Sequence, residues 1–184
     1  MSAIEEINEK LAEETGMSLS SNQYLTFLLD IERFAMPVIR IREIIEYGDL
    51  TVVPTAPRIY RGVINLRGRI VPVIDLVRQF GLKESPVTKR TCIIVMDAQL
   101  EGEEVTIGCM VDKVLLVQDI LPEQIDQAPD LGTVIDARFV KGMGKVDNNF
   151  ITILHIDHIF SQSEIVCGQQ IIGSNDNGQG QVRV

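Results

Sequence analysis

Residues 61–76, RGVINLRGRIVPVIDL, point to a β-rich fold because they end in a run of β-branched and aliphatic residues behind a glycine. Such a run, from Ile70 to Leu76, is typical of a β-strand, and Gly68 indicates a turn before it. Short strands separated by Gly, Asp and Asn clusters predict an all-β protein of small barrels rather than a parallel α/β sheet. Further runs of the same kind span residues 23–29, 91–96, 105–111 and 150–156.

An internal repeat extends outward from this stretch. Residues 58–80 (RIYRGVINLRGRIVPVIDLVRQF) align without a gap with residues 138–160 (RFVKGMGKVDNNFITILHIDHIF). Self-similarity of this kind indicates one structural unit used twice, so we predict two copies, near residues 24–80 and 91–160. The repeat leaves open whether strands exchange between the copies. The matched pairs include Arg58 with Arg138, Arg61 with Lys141, Gly62 with Gly142 and Phe80 with Phe160.

The two ends of the chain differ from this β-rich domain, which we place at residues 22–162. An acidic helix is predicted over residues 2–15, since Ser2 and Glu5 have capping-box spacing and three apolar residues share one face (Ile4, Ile7 and Leu11). With a polar linker it forms an N-terminal segment, residues 1–21. The tail, residues 163–184, is rich in Gly, Asn and Gln and is expected to be flexible.

Composition and charge exclude several classes of function. The 184 residues include 17 basic and 26 acidic side chains, and the net charge of −9 argues against binding to nucleic acid or to an anionic membrane. No apolar run approaches the roughly 18 residues of a membrane span, so no direct membrane insertion is expected. The cysteines show no CxxC spacing, which fits a reducing compartment, and we expect a cytoplasmic protein. They are Cys92, Cys109 and Cys167.

No catalytic or cofactor motif is recognisable. The sequence has no nucleophile elbow, phosphate-binding loop or zinc-protease motif, so we predict no enzyme activity and no cofactor. The segment His155-Ile156-Asp157-His158 raises a metal hypothesis, because in a strand His155 and Asp157 share one face while His158 points away. The matching residues of the first copy cannot form the same site. We therefore interpret the segment as polar strand-end residues and predict no metal site.

Five arginines lie between residues 58 and 78, where Asp75 is the single acid. Three interpretations are open: a small RNA-binding barrel, a surface for an acidic protein partner, or a solvated face with intramolecular ion pairs. The negative net charge and the scarcity of neighbouring aromatic residues favour a protein partner over RNA. Arg67 stands out because its counterpart is Asp147, so the fold does not demand a cation there. The arginines are Arg58, Arg61, Arg67, Arg69 and Arg78.

At these residues the chain resembles the CheW-type chemotaxis coupling proteins. The resemblance begins with residues 61–76 and extends, in order and spacing, over essentially all of residues 23–160. It implies two pseudo-symmetric, five-stranded SH3-like β-barrels with short helices, and no catalytic activity. The flanking segments that match are QYLTFLL (23–29), IRIREII (39–45), IGCMVDKVLLVQDI (107–120), LPEQID (121–126) and FVKGMG (139–144).

The resemblance also implies a function. Members of this family are adaptors that couple the cytoplasmic tip of chemoreceptors to the regulatory domain of the histidine kinase CheA. A groove between the barrels takes the receptor helix tip, and the protein joins arrays on the inner face of the membrane through its partners. Coupling in a related chemosensory pathway, such as surface motility, is the nearest alternative; an RNA-binding barrel is the alternative from another class.

Seven binding residues are carried over by position within the family. Five are expected to face the receptor, and among them Glu43 and Arg67 are expected to form a charge pair on that surface. Arg61 and Gly62 match positions at the edge of the interaction faces. The five receptor-facing residues are Ile41, Glu43, Arg67, Val114 and Val117.

Overall fold

The computed structural model describes residues 3–14, 21–127 and 134–160, and the secondary structure within them is mostly β. The strands are β1 Gln23–Leu29, β2 Glu32–Pro37, β3 Ile41–Glu46, β4 Tyr60–Leu66, β5 Arg69–Asp75, β6 Cys92–Leu100, β7 Glu103–Val111, β8 Lys113–Asp119, β9 Ile125–Asp126, β10 Val140–Val146 and β11 Asn149–Leu154. The α-helices are α1 Ala3–Glu14, α2 Leu76–Gln79 and α3 Ile156–Ile159, and single 3₁₀ turns cover Val38–Arg40, Pro122–Gln124 and Ala137–Phe139.

Strands exchange between the two copies of the repeat. One sheet has the order β8-β1-β2-β11-β10-β9 and the other β3-β6-β7-β5-β4, so the first two strands of each copy belong to the sheet of the other. Each sheet has two junctions between the copies, one antiparallel and one parallel: β1 with β8 and β2 with β11 in the first sheet, and β3 with β6 and β5 with β7 in the second. The predicted all-β class and the pair of SH3-like barrels are confirmed. The first sheet gains a sixth strand only through the two-residue β9.

The aligned segments of the repeat form equivalent hairpins, β4–β5 and β10–β11. Both hairpins turn through two residues with positive φ, Arg67 and Gly68 in one and Asp147 and Asn148 in the other. Positive φ at both central residues defines the type I′ turn, whose twist matches that of paired strands. Asn65 Oδ1 accepts a hydrogen bond of 2.9 Å from the Gly68 N–H and holds the first turn closed.

Gly62 and Gly142, the glycines shared by the two copies, let a second chain segment cross each hairpin. Both follow a β-bulge near the start of the hairpin. At Gly62, where φ is +151°, a Cβ atom would lie 2.2 Å from the carbonyl oxygen of Thr51, whose backbone pairs with Val63. At Gly142 a Cβ atom would lie 2.8 Å from the carbonyl oxygen of Asp126 in β9. The repeat therefore preserves a close backbone approach that no side chain permits.

The largest hydrophobic cluster joins the two halves. It combines residues of both sheets with Ile7 and Leu11 of α1. Four rings cross it in sequence, with centroid separations of 6.1, 6.0 and 5.2 Å between successive rings. Three of these rings come from the first copy and one from the second, so the halves share one core. The rings are Phe27, Phe34, Phe80 and Phe139.

The predicted local structure agrees with the observed elements in most places. The N-terminal helix is confirmed as α1, with Ile7 and Leu11 buried. Ser2, the linker residues up to 20 and the predicted tail, residues 163–184, lie outside the described residues. The domain boundaries remain a prediction.

The first testable prediction concerns Gly62. Replacing Gly62 by Ala should lower the free energy of unfolding by at least about 2 kcal/mol, because the new methyl group meets the Thr51 carbonyl and φ is unfavourable for any other residue. Gly48→Ala is the matched control, since Gly48 is exposed and a Cβ atom there meets nothing within 4 Å. Chemical denaturation of both variants measures the difference; equal stabilities would contradict this account of the bulge.

Candidate functional site

Arg67 and Glu43 form the predicted charge pair at the surface. Arg67 Nη1 lies 2.9 Å from Glu43 Oε1, and Arg67 Nη2 lies 3.3 Å from Oε2, which makes the pair bidentate. The Arg67 side chain is 79% exposed, whereas that of Glu43 is 19% exposed. A carboxylate fixed on a strand therefore orients a guanidinium group that projects into solvent from the β4–β5 turn.

A bulge in β3 brings Ile41 and Glu43 to the same cleft as Arg67. The register of β3 against β6 shifts between Ile41 and Glu43, so Arg42 has no partner in that ladder. Arg42 instead donates to both carboxylate oxygens of Asp97, at 2.7 Å each. The structure thus unites three of the five predicted receptor-facing residues around one open cleft of about 540 Å³.

Val114 and Val117, the other two predicted receptor-facing residues, lie on β8. Val114 is buried, and Val117 is partly buried and packs on the core. β8 is an edge strand of the first sheet and β3 an edge strand of the second. Helix α1 contacts both edge strands, and its residues line the cavities beside Val114 and Val117.

Asn8 of α1 makes a contact with β3 that the sequence did not reveal. Its Nδ2 donates to the Ile44 carbonyl oxygen at 2.8 Å, and its Oδ1 accepts from the Ile44 N–H at 2.9 Å. The side-chain amide therefore satisfies both backbone groups of one residue on an edge strand. The available signal was a polar residue on the apolar face of an amphipathic helix, four residues after Ile4 and three before Leu11.

Arg61 makes an internal contact. Its Nε donates to Asp75 Oδ2 at 2.9 Å, and Asp75, with 4% of its side chain exposed, also accepts from the backbone N–H groups of Val77 and Arg78. Asp75 is thereby the N-cap of α2 as well as the partner of Arg61. Arg61 therefore stabilises the β4–β5 hairpin through this ion pair, and Gly62 does so through the bulge.

The arginine-rich stretch is largely neutralised by carboxylates of the same chain. Arg58 and Arg78 both donate to Glu84 Oε1, at 2.7 and 3.0 Å. Together with the Arg61–Asp75 and Arg67–Glu43 pairs, four of the five arginines have intramolecular partners. Of the three interpretations left open by the sequence, the geometry favours intramolecular ion pairs for this stretch. Arg67 also has such a partner, and its pair lies exposed at the β4–β5 turn.

The strand geometry expected for His155 to His158 is wrong. Strand β11 ends at Leu154 and α3 begins at Ile156, because His155 takes the N-cap position. The two imidazole rings therefore stack, with centroids 3.7 Å apart, instead of pointing to opposite faces. Desolvation and the neighbouring His158 lower the pKa of His155. Within the described ranges no group of three metal-ligating side chains occurs.

Asp157 of α3 contacts the 3₁₀ turn Val38–Arg40 and strand β6. Its carboxylate accepts hydrogen bonds from the Arg40 guanidinium and, at 2.9 Å, from the Gln99 N–H. Partial burial opposes ionisation, but these bonds prevail and lower the pKa of Asp157. The carboxylate therefore fastens α3 to the 3₁₀ turn Val38–Arg40 and to β6, across the two copies of the repeat.

Comparison with known proteins identifies the class to which this double barrel belongs. The sequence model of the CheW-like domain matches residues 23–164. The chemotaxis protein CheW of Thermotoga maritima is 33% identical over 147 residues, which cover 79% of this chain and 91% of that protein. The protein FrzA of Myxococcus xanthus is 30% identical over 132 residues, 69% of this chain and 76% of that protein.

A solved structure agrees with the sequence comparisons. The crystal structure of the scaffolding protein TtCheW from Thermoanaerobacter tengcongensis superposes with a TM-score of 0.70 at 30% identity, covering 79% of this chain and 91% of that chain. The double barrel with exchanged strands and these similarities define a scaffold of chemosensory signalling. The chain belongs to the CheW family of chemotaxis coupling proteins.

The second prediction separates the buried pair from a surface pair. Asp75→Ala should lower the free energy of unfolding by about 3 kcal/mol, because it leaves Arg61 without its partner and α2 without its cap. Asp136→Ala is the matched control: Asp136 also caps a short helix and pairs with an arginine, Arg138, but both side chains are more than half exposed. Its loss should cost about 1 kcal/mol or less. Equal losses on thermal and urea unfolding would refute the assigned role of Asp75.

Proposed function

We propose that this protein couples the helical cytoplasmic tip of a chemoreceptor to the regulatory domain of the histidine kinase CheA. The observation that carries the proposal is the exposed, bidentate Arg67–Glu43 pair beside Ile41. Family membership supports the coupling role, and the position of this pair supports the assignment of the receptor-facing surface. Val117 is half-buried and extends that surface on the other side of α1, where Val114 is buried.

Arg67 is poorly explained by folding stability alone. It occupies the left-handed region of φ, at +50°, which is unfavourable for a non-glycine side chain. An exposed ion pair returns only about 0–1 kcal/mol. The second copy places Asp147 at the same turn position with the same φ and makes an equivalent hairpin. A planar guanidinium held by a carboxylate is well suited to bidentate recognition of a partner's carboxylate.

A non-enzymatic role is part of the proposal. The described cysteines, Cys92 and Cys109, are both buried, and burial raises the pKa of both thiols, that of Cys109 to about 12. Neither therefore supplies the thiolate that a nucleophilic mechanism requires. The buried carboxylate Asp75 is committed to Arg61 and to the α2 cap. Because these groups are buried or already engaged inside the protein, they support a scaffold that acts only by binding its partners.

The proposed location is the cytoplasm, at receptor arrays reached through the partners. In the part of the chain that the structure describes, no helix is long and apolar enough to cross a membrane. The similarity to FrzA supports one alternative, coupling within a related chemosensory pathway with another output. Both versions use the same surfaces and differ in which receptor and kinase are bound.

The third prediction tests Arg67 at the partner surface. Arg67→Asn should leave the melting temperature unchanged or slightly higher, because asparagine before glycine is the preferred pair for a type I′ turn. The same change should weaken binding of a receptor-tip fragment or of the kinase regulatory domain by about 1–3 kcal/mol, since arginine is a common interface anchor. Arg67→Glu should weaken binding further, by placing a like charge beside Glu43. Calorimetric titration and thermal melting on one preparation measure both effects.

Arg58→Asn is the matched control for that experiment. The Arg58 side chain is 81% exposed and also pairs with a carboxylate, Glu84, so the two variants remove comparable charges. Binding to both partners should be unchanged in the control. A large loss of melting temperature with intact affinity in Arg67→Asn would show that Arg67 serves the fold. Equal losses of affinity in both variants would indicate a general charge effect instead of a site.

A further inference from the structure

Helix α1 lies outside the matched domain, yet it covers one of the surfaces assigned to the receptor. The family match begins at residue 23, whereas α1 ends at Glu14. The helix contacts β3 and β8, the edge strands that carry four of the five predicted receptor-facing residues. Ala3 and Ile4 line a cavity with Val114, and Lys10 and Glu13 line one with Val117. An added segment thus occupies part of the predicted groove.

The contacts of α1 define the kind of ligand that fits this groove. Ile7 and Leu11 are buried in the main core cluster, and Ile4 packs against it. These apolar residues at positions i, i+3 and i+7 are the pattern with which amphipathic helices enter grooves. Between them, Asn8 fills the backbone donor and acceptor of Ile44. The groove therefore accepts one apolar helix face, and it forms hydrogen bonds with a side-chain amide placed opposite β3.

The rim of the groove adds a charge preference. The cavity at the N-terminal end of α1 is lined by three cations and one acid, Lys89, Arg90, Lys113 and Glu46, while the first turn of α1 contains Glu5 and Glu6. Acidic residues in a first turn also suit the helix dipole. A helix that enters in the orientation of α1 is thus favoured when its first turn is acidic.

We propose that α1 is an intramolecular occupant of a helix-binding groove, and that an amphipathic helix of the receptor tip takes its place on binding. The proposal rests on the proposed receptor-coupling function and adds a regulatory step to it. A helix of 12 residues is too short to be stable by itself in water, so α1 is helical because it is docked. Its release exposes the side chains of β3 and β8 together with the Ile44 backbone groups. The partner must then supply an equivalent helix.

The test weakens α1 in the full-length protein. The variant Ile7→Ser/Leu11→Ser removes both buried side chains of the helix, and Glu9→Ser/Ala12→Ser, at two exposed positions of the same helix, is its matched control. Hydrogen exchange of the Ile44 amide reports release of α1, because that N–H donates to Asn8. The first variant should show faster exchange at Ile44, and the control should not.

Two binding measurements follow on the same proteins. A synthetic peptide of residues 3–14 should bind the weakened variant and not the wild type. A receptor-tip fragment should bind the weakened variant at least fivefold more tightly than the wild type, and the peptide should compete with it. Affinity for the kinase regulatory domain should stay within twofold in all proteins, which shows that the domain is intact. If the double variant is poorly folded, Ile4→Ser replaces it, since Ile4 packs against the core without contacting the reporter amide, and it should shift both readouts in the same direction.

The outcomes separate this proposal from the receptor-coupling function. Faster exchange at Ile44 with an unchanged or weaker receptor affinity would overturn the role of α1 and leave the coupling function intact. Unchanged exchange at Ile44 in the weakened variant would overturn the docking of α1 on β3. A receptor fragment that binds neither wild type nor variant, while the peptide still binds the variant, would refute receptor coupling and, with it, displacement by a receptor helix.

Discussion

Strand pairing between the two halves of the chain, parallel at β2–β11 and β5–β7 and antiparallel at β1–β8 and β3–β6, holds the double barrel together. Thr152 opposite Phe34 and Val73 opposite Gly108 join strands of different copies. Each sheet is completed by strands of the other half, and the row of phenylalanine rings continues across the join. Neither barrel is complete without the other. Folding is therefore expected to be cooperative over both, although the sequence repeats.

The same exchange determines where partners can bind. Because each first pair of strands moves to the other sheet, the third strand of each copy, β3 or β8, becomes an edge. Edge strands present backbone groups without partners in their own sheet, and proteins cover or interrupt them. Here β3 is interrupted by a bulge at Arg42, and it is covered by α1 through Asn8. The proposed receptor surface is thus a consequence of the topology.

Much of the fold is predictable from sequence, because it is encoded in local patterns. The run Gln23–Leu29 gives β1, and the aligned segments give two equivalent hairpins. The exchange itself is not predictable in this way, since a repeat shows which strands correspond and not which strands pair. At His155 the prediction failed because the apolar run continues past Leu154, the last residue of β11, to Ile156, which is already the first residue of α3.

The candidate site was predictable only in part. The Arg67–Glu43 pair came from the family resemblance, and the geometry bears it out because a type I′ turn and a β-bulge lie side by side. The turn and the bulge bring Arg67 and Glu43 together only when the sheet is assembled. Asn8 could be suspected only from its place on an apolar helix face. Its partner is a backbone group of Ile44, which leaves no pattern in the sequence.

Comparison of the two copies shows how a repeat can separate residues of the fold from residues of a surface. Gly62 and Gly142 are shared because both hairpins are crossed by a second segment. For a residue that is found in just one copy, a further criterion is needed to assign it to the fold or to a surface, and burial supplies that criterion. Asp75 has no acidic counterpart, since His155 stands in its place without a side-chain cap, yet Asp75 is buried and fastens Arg61 and α2. Arg67 is equally unmatched but exposed, and its turn is made as well by Asp147. Of the two unshared charges, the buried one therefore belongs to the fold, and the exposed one is available to a partner.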